Sequence, residues 1–157
     1  MPSLNEIKYI WQEFGSVDNC ESVLRALPDW FGIEDSIVAY VETMQNYPIL
    51  KALKGDDIIG FASVKKHNAS AAEIYVMAVL PAYHRLGIGR EIMSAVETRL
   101  RAVNIEFLQV KTLDASRENE AYTKTRLFYT KQGFTPLEVF PDLWDKNNPC
   151  VQMVKAL

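Results

Sequence analysis

The residues VMAVLPAYHRLGIGR at positions 76–90 determine how the rest of this sequence is interpreted. They complete a nearly continuous apolar run that starts at Ile74, as expected of a strand covered on both faces. Gly87 and Gly89 follow, and an amphipathic helical pattern begins directly after them. A helix N-terminus offers unpaired N–H groups and a partial positive charge, and glycines let an anion approach the backbone closely. The stretch therefore predicts a buried strand, a loop able to hold a phosphate, and a helix.

The side chains near the two glycines limit the kind of phosphate loop. A dinucleotide-binding fingerprint needs a further glycine at position 92, where this chain has Ile92. A P-loop needs Gly-Lys-Ser/Thr, where this chain has Gly89-Arg90-Glu91. From the spacing alone, a strand–loop–helix turn without any ligand stays equally open.

The sequence before the loop predicts two helices and then an antiparallel meander. Apolar residues at helical spacing predict the helices, and apolar runs bounded by turn residues predict the strands. The predicted helices cover residues 18–27, opened by an Asp-Asn capping pair, and 36–45; the predicted strands cover residues 49–53, 58–65 and 71–80. Residues 7–14 fit either a strand or a helix.

The sequence after the loop predicts alternating helices and strands. The helix that opens near Gly89 carries its apolar stripe on Met93, Val96, Leu100 and Val103. A strand over 107–113, a helix over 121–132 ended by Gly133, and strands over 134–139 and 150–154 joined by a loop at 140–144 follow. The whole pattern is of the α/β (α+β) class.

Length and composition limit the class of protein. The chain has 157 residues, which suits one domain, and 48% of them are hydrophobic, so a packed core is expected. With 20 acidic and 17 basic residues the net charge is −3, which argues against a broad nucleic-acid surface. No apolar run approaches the ~20 residues of a spanning helix, and we expect a cytoplasmic protein with two buried, reduced cysteines and no metal site.

Two motifs resemble the Gcn5-related N-acetyltransferase (GNAT) superfamily. Residues 84–89, His-Arg-Leu-Gly-Ile-Gly, are similar to its acyl-CoA-binding motif Gln/Arg-x-x-Gly-x-Gly/Ala after a strand ending in Val-x-Pro, with His84 at the first position. Residues 128–134, Phe-Tyr-Thr-Lys-Gln-Gly-Phe, resemble the family's late Phe-Tyr-x-x-x-Gly-Phe. Residues 27–32, Leu-Pro-Asp-Trp-Phe-Gly, are similar to a bacterial branch of unassigned substrate.

The resemblance implies a fold and a co-substrate. The fold is a mixed, mostly antiparallel sheet with flanking helices and splayed central strands, which would take up the whole chain, and the co-substrate is acetyl-CoA, with no metal. The exposed backbone of Met77, Ala78 and Val79 would pair with the pantetheine arm where the strand splays at a bulge. The pyrophosphate would lie on the loop and helix start formed by His84, Arg85, Leu86, Gly87, Ile88, Gly89 and Arg90.

The resemblance also implies direct acetyl transfer from the thioester to a primary amine of a small molecule or a protein. Tyr129 would protonate the leaving thiolate, and Glu73 would take the amine proton through water. Glu138 and Asp142 are weaker candidates for the base, and the amine could also arrive neutral. The acceptor pocket would be lined by Trp30, Phe31, Tyr122 and Trp144.

Two other classes of function remain open at the level of sequence. The chain could be a non-catalytic module that binds or senses acyl-CoA, or a protein–protein interaction domain without a ligand. No nucleic-acid or membrane partner is expected, and a homodimer is left open.

Overall fold

The computed structural model describes residues 6–13, 17 and 19–157. The described part of the chain contains seven strands and four α-helices. In chain order they are β1 (Ile7–Gln12), α1 (Cys20–Arg25), α2 (Glu34–Met44), β2 (Ile49–Lys54), β3 (Asp57–Lys66), β4 (Ala71–Val79), α3 (Ile88–Ala102), β5 (Phe107–Leu113), α4 (Glu120–Lys131), β6 (Thr135–Asp145) and β7 (Asn148–Ala156), with a short 3₁₀ turn at Pro81–Tyr83.

The strands form one sheet in the order β1-β2-β3-β4-β5-β7-β6. Only the pair β4–β5 is parallel, and the other pairs are antiparallel. The predicted mixed, mostly antiparallel class is therefore confirmed. The ambiguous segment near the start is a strand, since Ile7–Gln12 pairs along its whole length with β2. Phe14, part of that ambiguous segment, lies outside the described residues.

Two apolar cores lie on opposite faces of the sheet. One core packs the sheet against α3 and α4 and includes Ile92, Met93 and Tyr129. The other packs the sheet against α1 and α2 and includes Leu24 and Met44. The sheet therefore separates the two cores, and Leu80 packs against both of them.

The predicted loop at 140–144 is wrong. β6 runs without interruption from Thr135 to Asp145, with irregular register between Phe140 and Asp145, and the reversal into β7 comes after Asp145. Pro141 suggested a loop, but β6 is the edge strand of the sheet. A proline is tolerated there because its missing N–H would not be needed for pairing.

Helix ends and one helix face also differ from the expectations. α1 is shorter than residues 18–27, and Asp18 lies outside the described residues, whereas α2 begins two residues earlier than position 36. Val103 follows the end of α3 and is 54% exposed, so it does not belong to the apolar stripe. Glu97 is buried instead, where Lys155 Nζ contacts it at 2.8 Å.

In the described part of the chain, no helix has the length and apolar character needed to cross a membrane.

Candidate functional site

The sheet opens between β4 and β5. The two strands pair only from Ala71–Ile74 to Phe107–Val110. Beyond these residues β5 continues against β7 as far as Leu113, and β4 continues against β3 as far as Val79. A wedge-shaped opening therefore separates the C-terminal halves of β4 and β5, as the splayed strands of the prediction require.

A bulge lies at the closed end of this opening. Ser63 of β3 pairs with Val76, whereas the next residue, Val64, pairs with Ile74, so Tyr75 has no partner on β3. The extra residue changes the face of the sheet on which the following side chains of β4 lie. Ile74 packs into the core beneath α3, whereas Val76 packs into the core beneath α1 and α2.

The open edge of β4 exposes backbone groups to the wedge. The Leu80 N–H donates to the Ile59 carbonyl of β3 at 2.8 Å. Because backbone groups alternate in direction along a strand, those of Met77 and Val79 point away from β3 and into the opening. One of these groups is already occupied, since the His84 Nε2–H donates to the Val79 carbonyl at 2.7 Å.

The loop after β4 presents a run of free N–H groups. Arg85 (φ 62°) and Gly87 (φ 83°) adopt left-handed conformations, and α3 begins at Ile88. The backbone N–H groups of residues 85–90 make no hydrogen bond within the described part of the chain. Such a row of unpaired donors at a helix N-terminus is suited to a phosphate anion.

Gly89 has a packing role that the motif did not reveal. A Cβ at this position would lie 3.1 Å from Phe128 Cε1. The missing side chain therefore lets the start of α3 approach α4 closely, at the mouth of the opening. Anion approach is not the sole reason for a glycine here.

Tyr129 lies on α4 in the core that covers the wedge. It is 6% exposed, and its ring contacts the rings of Phe128 and Phe134 at centroid distances of 5.4 and 5.5 Å. Its hydroxyl has no hydrogen-bond partner among the described residues. Burial raises the pKa of Tyr129 well above its usual value. The phenol, which is protonated at neutral pH in any case, can donate a hydrogen bond.

Two residues predicted to contact the acceptor meet at the mouth of the wedge. The Trp30 indole N–H donates to Thr125 Oγ1 at 2.9 Å, and the Tyr122 hydroxyl donates to the Trp30 carbonyl at 2.8 Å. The indole also contacts the His84 ring edge-on at 5.8 Å. Trp30 therefore joins the α1–α2 loop to α4 and to the loop after β4.

A cavity of about 430 Å³ borders Trp30 and the first turn of α4. Its lining is polar apart from Trp30 and Ala121. The lining residues are Asp29, Trp30, Asn119, Glu120, Ala121 and Lys124. Because the indole also contacts His84, Trp30 lies beside both this cavity and the loop after β4.

The other two residues predicted for the acceptor pocket, Phe31 and Trp144, have different surroundings. Phe31 packs edge-on against Tyr40 of α2 at 5.9 Å, within the core beneath α1 and α2. Trp144 lies on the edge strand β6, is 44% exposed, and makes no ring contact or hydrogen bond with the described residues. Phe31 is therefore next to Trp30 but packs toward α2, and Trp144 makes no ring contact or hydrogen bond with Trp30 or Tyr122 in the described part of the chain.

Glu73 is buried at the closed end of the wedge and already has partners. Lys111 Nζ lies 3.1 and 3.2 Å from its two carboxylate oxygens, and His67 Nε2 lies 2.6 Å from Oε1. The sequence analysis did not identify His67 or Lys111 as site residues. The alternation of β5 could have placed Lys111 beside Glu73, but only if the pairing of β4 with β5 had been known in register.

The remaining candidates for a ligand site are few. Cys20 and Cys150 are both buried and are not joined by a disulfide. Among residues 6–13, 17 and 19–157, no three His, Cys, Asp or Glu side chains are grouped so that they could hold a metal ion.

Comparison with known families and structures gives a consistent result. Residues 37–136 match the family model described as "Acetyltransferase (GNAT) domain", which is more than half of the chain. No curated protein sequence matches the chain significantly.

Solved structures resemble the whole fold. A protein of the GNAT family from Desulfovibrio desulfuricans has a TM-score of 0.77 at 19% identity, over 96% of this chain and 98% of that one. A GNAT-family acetyltransferase from Elizabethkingia anophelis with acetyl-CoA bound has a TM-score of 0.71 at 18% identity, over 98% and 99%. The aminoglycoside 6'-N-acetyltransferase from Enterococcus faecium has a TM-score of 0.69 at 21% identity, over 94% and 96%. At these identities the likeness establishes the fold alone.

Proposed function

The chain belongs to the GNAT family of acetyltransferases, and we propose that it is an acetyl-CoA-dependent N-acetyltransferase acting on a primary amine of a small molecule or a protein. One observation carries the proposal. The open edge of β4 leads directly into a loop whose N–H groups, at residues 85–90, have no partner in the described part of the chain. A strand edge followed by an anion site suits an acyl donor that combines an amide-containing arm with a pyrophosphate.

The residues present fit acetyl-CoA. The N–H groups of residues 85–90 would hold the pyrophosphate, and Arg85 and Arg90 are exposed beside them. The backbone of Met77 and the N–H of Val79 would pair with the pantetheine arm, whereas the Val79 carbonyl is held by His84. The acetyl-CoA bound in the structurally similar Elizabethkingia anophelis protein supports this assignment.

The bound thioester would supply an activated acetyl group, and the chain would supply hydrogen-bond donors. A backbone N–H on the open edge, at Val79, can stabilise negative charge that develops on the acyl oxygen. Tyr129 can donate a hydrogen bond or its phenolic proton to the departing thiolate, since a tyrosine phenol is protonated at neutral pH. The Val79 N–H faces the wedge and Tyr129 lies in the core that covers the wedge. One acyl group could therefore contact both.

Glu73 is the proposed base for the acceptor amine, acting through water. Its carboxylate accepts hydrogen bonds from Lys111, and His67 Nε2 lies 2.6 Å from Oε1. His67 is 28% exposed at its side chain and connects Glu73 to the surface. A proton taken by Glu73 could therefore leave through His67.

We place the acceptor at the mouth of the wedge, beside Trp30 and Tyr122. Trp30 borders the cavity of about 430 Å³ and contacts His84 in the loop proposed to hold the donor, and the Tyr122 hydroxyl donates to the Trp30 carbonyl. An amine bound beside Trp30 would lie near both the donor loop and the open edge of β4. Direct transfer needs this arrangement, since both substrates must be bound together.

Two measurements on the wild-type chain test the proposal. Saturating acetyl-CoA should raise the melting temperature, because a ligand that binds only the native state stabilises it. Thiol release from acetyl-CoA should then depend on an added amine from a panel of small amines and lysine peptides. Stabilisation without amine-dependent thiol release would favour a non-catalytic acyl-CoA-binding module. No stabilisation would contradict both assignments and favour a ligand-free interaction domain.

A further inference from the structure

Two buried hydroxyl groups lack hydrogen-bond partners in the described part of the chain. They are Ser63 Oγ on β3 and Thr112 Oγ1 on β5. The two residues are 0% and 4% exposed. A buried hydroxyl without a partner costs free energy, because it gives up its hydrogen bonds to water without replacing them. Each of the two therefore needs an explanation.

Thr112 lies on the wall of the wedge that faces the open edge of β4. The pairing of β4 with β5 ends at Val110, so Thr112 is beyond the last paired residue and borders β7 only, opposite Val151. Had the parallel pairing continued, its partner on β4 would have been Val76. The position belongs to the stretch of β5 where the neighbouring strand has moved away.

The Thr112 side chain lies on the face of the sheet covered by α4. Leu108 and Val110 alternate with it along β5, and both belong to the core that contains Tyr129. α4 is fixed above this end of β5, since Arg126 Nη1 donates to the carbonyl of the adjacent Leu113 at 2.6 Å. Across the wedge, Met77 packs into the same core. Thr112 therefore lies on β5 beyond the end of its pairing with β4, on the sheet face covered by the helix that carries Tyr129.

Resting on the proposed function, we propose that Thr112 is a positioning residue whose hydroxyl binds an amide group of the pantetheine arm of the acyl donor. The open edge of β4 would hold one side of the arm through backbone groups, and Thr112 would hold the other side. An amide presents an N–H and a carbonyl, and a hydroxyl can satisfy either one. The unpaired state of Thr112 is then explained by a partner that arrives with the donor.

Ser63 provides a matched comparison. Its hydroxyl is equally buried and unpaired, but its neighbours in register, Ile49 and Val76, belong to the core beneath α1 and α2. β4 lies between Ser63 and the wedge. A ligand in the wedge would not reach it.

The test compares Thr112→Val with Ser63→Ala in the full chain. Valine keeps the shape of threonine and removes the hydroxyl, so Thr112→Val should leave the melting temperature of the free protein unchanged or higher. Its dissociation constant for coenzyme A, measured by calorimetry, should rise about fivefold to tenfold, the loss expected for one hydrogen bond. Ser63→Ala should bind coenzyme A as the wild type does.

A second ligand and a third variant make the test specific. Adenosine 3'-phosphate 5'-diphosphate lacks the pantetheine arm, so Thr112→Val should bind it with wild-type affinity. Thr112→Ser keeps the hydroxyl and should retain wild-type affinity for coenzyme A, even where the lost methyl lowers the melting temperature.

Wild-type affinity of Thr112→Val for coenzyme A would overturn the inference while leaving the proposed function intact. Weaker binding of both ligands by Thr112→Val would have the same meaning. Failure of the wild-type chain to bind coenzyme A would refute the proposed function itself.

Discussion

A tyrosine phenol is protonated at neutral pH whether or not it is buried, so the role proposed for Tyr129 depends on where its hydroxyl lies. The phenol lies among Phe128, Phe134 and the strand side chains of the core, and desolvation is the main cause that raises its pKa. A phenol that stays protonated can donate to a thiolate but cannot serve as a base. The absence of a hydrogen-bond partner in the described part of the chain leaves its proton available.

The variant Tyr129→Phe tests this role. It removes the donor and keeps the ring, so we expect kcat for amine acetylation to fall about 100-fold, in the range of a lost general acid. The dissociation constant for coenzyme A should change by less than about threefold, because the proposed binding contacts are backbone groups of β4 and the loop. Steady-state kinetics and calorimetry on the same preparation check both expectations. Unchanged kcat would remove Tyr129 from the reaction.

The surroundings of two site residues, Tyr129 and Glu73, could not be predicted from the sequence. The motif identified Tyr129, but burial and the missing partner are properties of the packed core and appear only in three dimensions. Glu73 was predicted as the base, and its contacts with Lys111 and His67 were not anticipated. Lys111 is 38 residues away along the chain, and only the parallel pairing of β4 with β5 brings the two side chains together.

The junction of β4 and α3 is the element on which donor binding would depend. The strand ends at Val79, a 3₁₀ turn and a glycine loop follow, and the helix starts at Ile88. Gly87 has a positive φ of 83°, which favours glycine or asparagine over other side chains. Donor binding would require two properties at position 87: a residue that adopts this backbone conformation, and the absence of a negative charge. Substitutions can test the two requirements one at a time.

The pair Gly87→Asp and Gly87→Asn separates these requirements. The two side chains have nearly the same size and both tolerate the left-handed conformation, but only aspartate adds a negative charge. We expect Gly87→Asp to raise the dissociation constant for coenzyme A at least about tenfold above that of Gly87→Asn, through repulsion of the pyrophosphate. Calorimetry at low and high salt measures the difference, which should shrink as salt increases. Equal affinities would place the pyrophosphate elsewhere.

Most helices and strands were predicted from local sequence patterns. The extent of β6 was not, because it depends on where that strand lies in the sheet. The strands β2 to β5 and the helices α3 and α4 were predicted to within about two residues, because their apolar periodicity is strong. β6 was cut short because Pro141 suggested a loop. Whether a proline interrupts a strand depends on whether that strand lies at an edge, and strand order is not a local property.

At the scale of the whole molecule, buried tyrosines make the stability of the protein depend on pH, and two of them, Tyr122 and Tyr129, belong to the candidate site. Burial raises the pKa of Tyr40 and Tyr129, and it raises the pKa of Tyr122 to about 12. The unfolded chain would release these protons near pH 10. The native state therefore holds them more tightly, so their contribution to stability is complete below about pH 10 and is lost as pH rises further.

The stability of the protein should accordingly fall above about pH 10, and Tyr129→Phe should reduce that fall. Urea unfolding at a series of pH values from about 8 to 11 measures the effect as a change in the free energy of unfolding. Tyr83→Phe serves as the control, since Tyr83 is only partly buried. Parallel pH profiles for Tyr129→Phe and the wild type would show that the buried phenol is not linked to folding.

The free N–H groups of residues 85–90 have a consequence for how this chain can vary. A site formed by backbone donors is encoded in loop length and in the conformations at Arg85 and Gly87, not in the identity of most side chains. If that site holds the donor, most side chains of the loop would not be needed for the hydrogen bonds to its phosphates. His84, where the family motif has glutamine or arginine, donates instead to the Val79 carbonyl at the end of β4.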